Sequence, residues 1–134
     1  SVFMPGTEAY WAWPYEIDGE FGGVRPPADY AANAEDWGPA KQNPHVGENT
    51  TIACIATDVA LTPGQAKRVA QMALAGMARA IRPVFAPFDG DVVFVLSTAQ
   101  HPLPSPEALS LARLGELAAN TLARSIARGV YEAQ

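Results

Sequence analysis

Thr50-Thr51-Ile52-Ala53-Cys54-Ile55-Ala56-Thr57-Asp58-Val59, followed at once by Ala60-Leu61-Thr62-Pro63-Gly64-Gln65, is the stretch on which the fold turns. Its first ten residues are rich in β-branched side chains and almost continuously apolar, the pattern of a strand buried on both faces. Thr62 then suits an N-cap and Pro63 the first helical position, and Gln65, three residues after the cap, completes a capping box. Ala66, Val69, Ala70, Ala73, Met77 and Ile81 recur at intervals of three and four. That spacing predicts one apolar helix face running to about Arg82, with Pro83 as its stop.

The pattern then repeats. Asp91-Val92-Val93-Phe94-Val95-Leu96-Ser97 predicts a second buried strand. Ser105-Pro106-Glu107 opens another helix, whose stripe is Leu114, Leu117, Ala118, Leu122, Ile126 and Val130. Two such strands leave their edge hydrogen-bonding groups unmet, and two helices with one-sided stripes cover only part of a sheet. Further strands must come from elsewhere, so the chain is expected to be the C-terminal part of a larger α/β fold.

Upstream of Thr50 the character changes. Residues 1–49 hold all three tryptophans, six of the twelve prolines and six of the eleven glycines, and no helical period of useful length runs through them. Two basic residues, Arg25 and Lys41, face eight acidic ones there, a balance of −6, whereas 50–134 carries seven basic against six acidic, or +1. Asp18-Gly19 and Gly22-Gly23 signal tight turns, and Pro26-Pro27, Gly38-Pro39 and Asn43-Pro44 continue the loop. A stretch this long without regular structure is expected to pack on something or to serve a function.

Composition excludes several classes. At 134 residues, 49% hydrophobic and 17% charged, the chain is neither disordered throughout nor a multidomain machine. No run of about 18 apolar residues occurs, and Ser1 to Gly6 lack the regions of a signal peptide, so neither a membrane partner nor an export signal is expected. Cys54 as the sole cysteine forbids an intrachain disulfide and a multi-cysteine zinc site, which fits a reducing, cytoplasmic setting. A net charge of −5 argues against a nucleic-acid partner.

Most residues with reactive chemistry have a plain reading. Cys54, mid-strand, is expected as a small buried hydrophobe. His45 and His101 lie beside prolines with no second histidine or cysteine at ligand spacing, so no metal is expected. Asp89-Gly90-Asp91 fits a turn into a strand better than a cation site. Gly47-Glu48-Asn49-Thr50-Thr51-Ile52 differs, because a glycine-containing loop ends at a hydroxyl residue that starts a buried strand. That arrangement suits N-terminal-nucleophile chemistry, in which a hydroxyl attacks the preceding carbonyl and the freed α-amine, with an ordinary pKa near 8, becomes its base. Read from spacing, Asn49-Thr50 is equally a simple loop end. Val2 to Gly6 is too short to be the strand expected after a processed nucleophile, so Ser1 is not taken as one.

Three separated motifs bring a resemblance. Glu48 to Val59 with Leu61-Thr62-Pro63, the helix ending Met77 to Pro83, and Phe88 to Thr98 resemble the self-cleaving D-aminopeptidase, β-peptidyl aminopeptidase and nylon-oligomer hydrolase family. Met4-Pro5-Gly6, Trp11-Ala12-Trp13-Pro14 and Asp18 to Gly23 are similar to it as well. The resemblance implies a precursor cut between Asn49 and Thr50, with 1–49 as the C-terminal end of an α subunit and 50–134 as a β subunit. Thr50 would be the nucleophile, and the fold would be an α-β-β-α sandwich completed by an upstream α-subunit region that this sequence does not contain. Asp89 and Asp91 match residues that lie at the nucleophile in the nylon-oligomer branch, and Ser97 matches a serine that helps position it in the aminopeptidase branch. No cofactor is implied; the partners implied are a small peptide or amide substrate and further αβ units in a homo-oligomer.

Departures and rivals remain. The aminopeptidase branch often cuts between glycine and serine, whereas Asn49-Thr50 follows the nylon-oligomer and pantetheine-hydrolase branches. Trp11, Trp13 and Tyr15 fit an aromatic substrate wall, though anchoring the irregular segment to the core is the plainer role. Acyl transfer to an amine, as in the self-cleaving ornithine acetyltransferases, is a second enzymatic reading. An unprocessed binding or structural subunit with Trp11 to Gly23 as its interface is the non-enzymatic one. Substrates in the family range over D-amino acid amides, β-peptides, nylon oligomers and pantetheine-type amides, and these residues do not choose among them.

Overall fold

The computed structural model describes residues 1–38 and 50–134. Strands β1 (Ile52–Val59) and β2 (Val92–His101) lie parallel, paired from Ile52 opposite Val92 to Thr57 opposite Ser97. Helix α1 (Pro63–Ala80) is the crossover between them, and α2 (Glu107–Tyr131) follows β2. The chain is therefore α/β, with the expected order of elements.

Local signals account for the boundaries. The Gln65 N–H donates to Thr62 Oγ1 at 3.3 Å and the Thr62 N–H to Gln65 Oε1 at 2.9 Å, so the capping box is formed. At the other end the Ile81 N–H still donates to the Met77 carbonyl at 2.8 Å, but Ile81 is extended. The helix thus stops at Ala80, just ahead of Arg82, whose helical conformation Pro83 disfavours. Strand β2 runs four residues past Ser97, after a register shift between Thr57 and Val59 that sets Val59 opposite His101.

Both helices cover the same face of the strand pair. Val69, Ala73 and Met77 of α1, Ala118 and Leu122 of α2 and Val93 of β2 form one core, with Ala53, Ile55 and Val95 packed on it. The helices approach closely because glycine stands at the contact. A methyl on Gly76 would overlap the Ala119 carbonyl, and one on Gly115 would overlap the Met72 side chain.

The opposite face corrects an expectation. Alternate strand residues point to opposite sides of a sheet, and the helices cover only one. Ile52 is 71% exposed, Phe94 57% and Leu96 56%, and Cys54 lies exposed among them. The strands are not buried on both faces within this chain, and Cys54 is not a core residue of it.

The irregular first segment has its own core. Tyr10, Ala12 and Phe21 are buried against Ala80 of α1 and Ala123 and Ala127 of α2. The Glu16 carboxylate accepts from the Phe21 N–H at 3.0 Å, the Gly23 N–H at 2.8 Å and Arg25 Nη1 at 2.7 Å, gathering the turn around one charge. Gly22 (φ +95°) and Gly23 (φ +68°) supply the left-handed backbone that this return requires. Arg124 of α2 donates through Nη2 to Glu20 Oε2 at 3.0 Å and through Nε to Oε1, tying the segment to the helix. Anchorage thus falls to Tyr10 and Phe21 more than to the tryptophans, which are only half-buried. Among the described residues, no helix is long and apolar enough to cross a membrane.

Two outcomes follow from this packing. Gly76→Ala gains up to about 1 kcal/mol of helix propensity, but overlap with a backbone carbonyl costs roughly 1–3 kcal/mol. A net destabilisation is expected in urea unfolding, and a variant as stable as the parent would contradict the tight crossing. The second outcome concerns acid. The hydrogen bond from Arg124 holds the Glu20 carboxyl below its ordinary range, against a smaller opposing effect of burial. Its stabilisation is complete above the unfolded value of about 4.3 and is lost as pH falls through the lower folded value. Glu20→Gln is expected to lower stability at pH 7 and to shrink the further loss on acidification below about pH 4. An unaltered acid profile would show that this pair contributes nothing.

Candidate active site

The site is built where β1 begins. The Val92 N–H donates to the Thr51 carbonyl at 2.9 Å, which brings the entry of β1 against the entry of β2. Asp91, one residue before β2, turns its carboxylate across that junction. Oδ1 accepts from the Thr51 N–H at 2.8 Å and Oδ2 accepts from the Phe85 N–H at 3.0 Å. One side chain thereby joins the residue after Thr50 to the loop that follows α1.

Asp89 holds the same loop from inside. Its Oδ2 accepts from the Ala86 N–H at 2.8 Å, and its own N–H donates to the Ala86 carbonyl at 2.8 Å. Hydrogen bonds of this kind, from backbone N–H to an ionised carboxylate, are shorter and stronger than neutral ones. They also retain Phe85 at φ +57°, a left-handed conformation that costs a bulky residue roughly 1–3 kcal/mol.

Between the two carboxylates stands Gly90, and against it lies Thr50. A Cβ built on Gly90 would sit 2.8 Å from Thr50 Oγ1 and 3.4 Å from its Cγ2. Thr50 itself is exposed. The expected grouping of Thr50, Asp89 and Asp91 is thus present, with one difference of detail. Asp91 bonds to the backbone of the following residue, Thr51, so it fixes the chain from which the Thr50 side chain projects.

Ser97 is not part of this group. It pairs opposite Thr57, five residues along the strand from Val92, about 16 Å at the usual rise. Its hydroxyl donates to the Val59 carbonyl at 2.7 Å and accepts from the Ala99 N–H at 3.2 Å, satisfying the bulged end of the sheet. The parallel register puts it at the wrong end of β2, so its expected place beside the nucleophile is corrected to a structural one. Asn49 and His45 lie outside the described residues.

Trp11 and Trp13 stand apart from Thr50 in sequence but border the same loop. The Arg82 guanidinium lies 4.1 Å from the Trp11 ring and Arg25 lies 5.4 Å from that of Trp13, both cation–π distances. With Tyr30 and Pro26 they line an open cavity of about 630 Å³. Arg82 and Val84 line a neighbouring cavity of about 440 Å³, and Phe85, the next residue, bonds to Asp91. Trp11 and the entry of β1 are thus linked through this one loop.

Other ionisable groups add little. His101 Nε2 lies 3.6 Å from Asp58 Oδ2, with both side chains exposed. Among the described residues, no three histidine, cysteine or acidic side chains cluster to hold a metal ion. Gly90, Phe85 and Ala86 escaped the sequence reading, because their roles rest on backbone atoms or on a missing side chain.

Comparison with known proteins places these residues in context. Residues 19–134 match the model of peptidase family S58. An uncharacterized aminopeptidase of Mycobacterium tuberculosis is 37% identical over 131 residues, covering 91% of this chain and 38% of that protein. An uncharacterized aminopeptidase of Mycobacterium leprae is 40% identical over 95 residues, or 64% of this chain and 26% of that protein. A 6-aminohexanoate-oligomer endohydrolase of Paenarthrobacter ureafaciens is 36% identical over 77 residues, or 56% of this chain and 22% of that protein. The chain thus spans 38% of the length of the mycobacterial relatives it matches over most of its own length.

The geometry at Asp91 has a direct test. In Asp91→Asn one acceptor oxygen is replaced by an NH₂ donor, which leaves either Thr51 or Phe85 without a bond. Hydrogen exchange at the Thr51 or Phe85 amide is expected to quicken. Unchanged protection at both would show that the carboxylate does not bridge them.

Proposed function

The chain belongs to peptidase family S58, and from that premise we propose that it is the C-terminal part of a self-processing amide-bond hydrolase whose nucleophile is Thr50. The observation that supports this most is the position of Thr50. It is an exposed hydroxyl residue at the mouth of β1, seated on Gly90 between Asp89 and Asp91, with the next residue's N–H bonded to Asp91.

Maturation in this reading proceeds by an N-to-O acyl shift. Thr50 Oγ1 attacks the Asn49 carbonyl carbon, the Asn49–Thr50 C–N bond breaks, and the hydroxyl proton passes to the departing nitrogen. Water then hydrolyses the ester, giving an Asn49 carboxylate, a free Thr50 hydroxyl and a Thr50 α-amine. In turnover that amine accepts the hydroxyl proton as Oγ1 attacks the substrate amide, and returns it to the leaving amine. Water resolves the acyl-enzyme. An α-amine with a pKa near 8 suits both roles at neutral pH.

Asp91 is given a positioning and electrostatic part. Its bond to Thr51 fixes the strand entry, and its charge favours the ammonium that forms at Thr50 as the proton is taken up. Asp89 keeps the loop in place through Ala86. The relatives are named as aminopeptidases and as a 6-aminohexanoate-oligomer endohydrolase, so the substrate class proposed is a short peptide or related amide. Trp11 and Trp13 are proposed as part of its pocket.

The finer fold belongs to the same proposal. The open face bearing Ile52, Cys54, Phe94 and Leu96 is proposed to pack on a second sheet contributed by the upstream α-subunit region, completing an α-β-β-α sandwich. Burying large apolar side chains of this kind is worth about 1.5–3 kcal/mol each. Such αβ units are proposed to assemble as a homo-oligomer.

Thr50→Ala in the full-length protein is expected to remain one chain on a denaturing gel. Its hydrolysis of short aminoacyl and ω-aminoacyl amides is expected to fall on the order of 10⁴-fold or more. Undiminished hydrolysis by this variant would sink the proposal.

A further inference from the structure

We infer that Gly90 is a positioning residue for the nucleophile: it is glycine so that the Thr50 hydroxyl can occupy the space where a side chain would stand. The inference rests on the proposed reading of Thr50 and adds a residue to it. Two explanations of a glycine are available at any position, the backbone or the space around it. Gly6, Gly19, Gly22, Gly23 and Gly38 have positive φ and meet the first. Gly90 is not among them, so a left-handed backbone does not explain it.

Space decides the matter. The three atoms nearest to a Cβ at Gly90 all belong to Thr50: Oγ1 at 2.8 Å, Cγ2 at 3.4 Å and Cβ at 3.7 Å. Among the described residues other than Asp89 and Asp91, no side chain or backbone comes closer to that volume. By contrast, Gly76 faces the Ala119 backbone and serves helix packing. The missing side chain at Gly90 has one beneficiary, the threonine.

Rotation does not relieve the conflict in threonine. Its Cβ carries a hydroxyl, a methyl and a hydrogen, and χ1 of a β-branched residue is restricted. Exchanging Oγ1 for Cγ2 would put a larger group at the same place. Only a rotamer that points the Cβ hydrogen at Gly90 clears an added methyl there, and it carries the hydroxyl off its seat. Serine clears the methyl in the same way, by taking its hydroxyl off the seat.

The shared seat makes the inference testable in the full-length precursor. The rate of self-cleavage and the kcat for a short aminoacyl amide are measured for the parent, Gly90→Ala, Thr50→Ser and the double variant, with amide exchange at Phe85 and Ala86 and urea unfolding as checks on the loop and the fold. Misplacing a reacting group by about 1 Å can cost on the order of 100-fold. Gly90→Ala is therefore expected to slow both reactions by about 10- to 100-fold with Thr50 in place. The same change in the Thr50→Ser background is expected to cost a similar factor, because the serine hydroxyl needs the same seat.

Quickened amide exchange at Phe85 or Ala86 in Gly90→Ala would overturn the inference, since alanine would then act through the loop and not through the nucleophile. So would the absence of any penalty with Thr50. Thr50→Ala separates this from the underlying reading. If that variant still cleaves itself and hydrolyses amides, Thr50 is not the nucleophile; if it is inert while Gly90→Ala matches the parent, only the role of Gly90 fails.

Discussion

A single carboxylate, that of Asp91, determines how the functional end of the molecule is put together. It takes one N–H from Thr51, at the start of β1, and another from Phe85, in the loop after α1. These two segments are joined in sequence only through the whole of β1 and α1. Without this common acceptor the strand entry would lose its direct tie to the loop, and N–H groups of both would lack these partners. With it, Gly90 is presented to the Thr50 side chain at contact distance. The proposed chemistry of Thr50 depends on this arrangement, because a hydroxyl that must attack its own preceding carbonyl has little tolerance for displacement.

The rest of the fold supports that junction from one side. The close crossing of α1 and α2, made possible by Gly76 and Gly115, presents a continuous apolar surface to Ala53, Ile55, Val93 and Val95. Parallel pairing follows from the α1 crossover and places both strand entries, and hence Thr50 and Asp91, at the same end. Brought in by Tyr10 and Phe21, the first segment seals the end of the helix pair nearest the strand entries and carries Trp11 to Arg82. On the other side the strands present Ile52, Phe94 and Leu96 to solvent. Apolar surface of that kind, on a chain spanning 38% of its mycobacterial relatives, is what a partner layer in the longer protein would cover.

Much of this was legible in the sequence where the signal was local. The Thr62–Gln65 capping box, the Pro83 stop and the strand, helix, strand, helix order each depend on a few neighbouring residues, and the structure has them. Thr50, Asp89 and Asp91 converge because register and a short loop carry them to one end of the sheet. Ser97 did not converge. Its motif context suggested the nucleophile, but five residues of strand separate it from the site, and its hydroxyl closes a bulge. Burial of Cys54 was inferred from an apolar run, which says that both faces are apolar and not that both are covered. Gly90 was visible only as a turn glycine, because the atoms that require it are 40 positions away in the sequence.

In the proposed maturation Thr50 becomes a chain terminus, and N-terminal sequencing of the active full-length gene product tests that most directly. A second N-terminus reading Thr-Thr-Ile-Ala-Cys, in equal amount with the first, is expected. A fully active preparation with one N-terminus, or with its second one elsewhere, would contradict it.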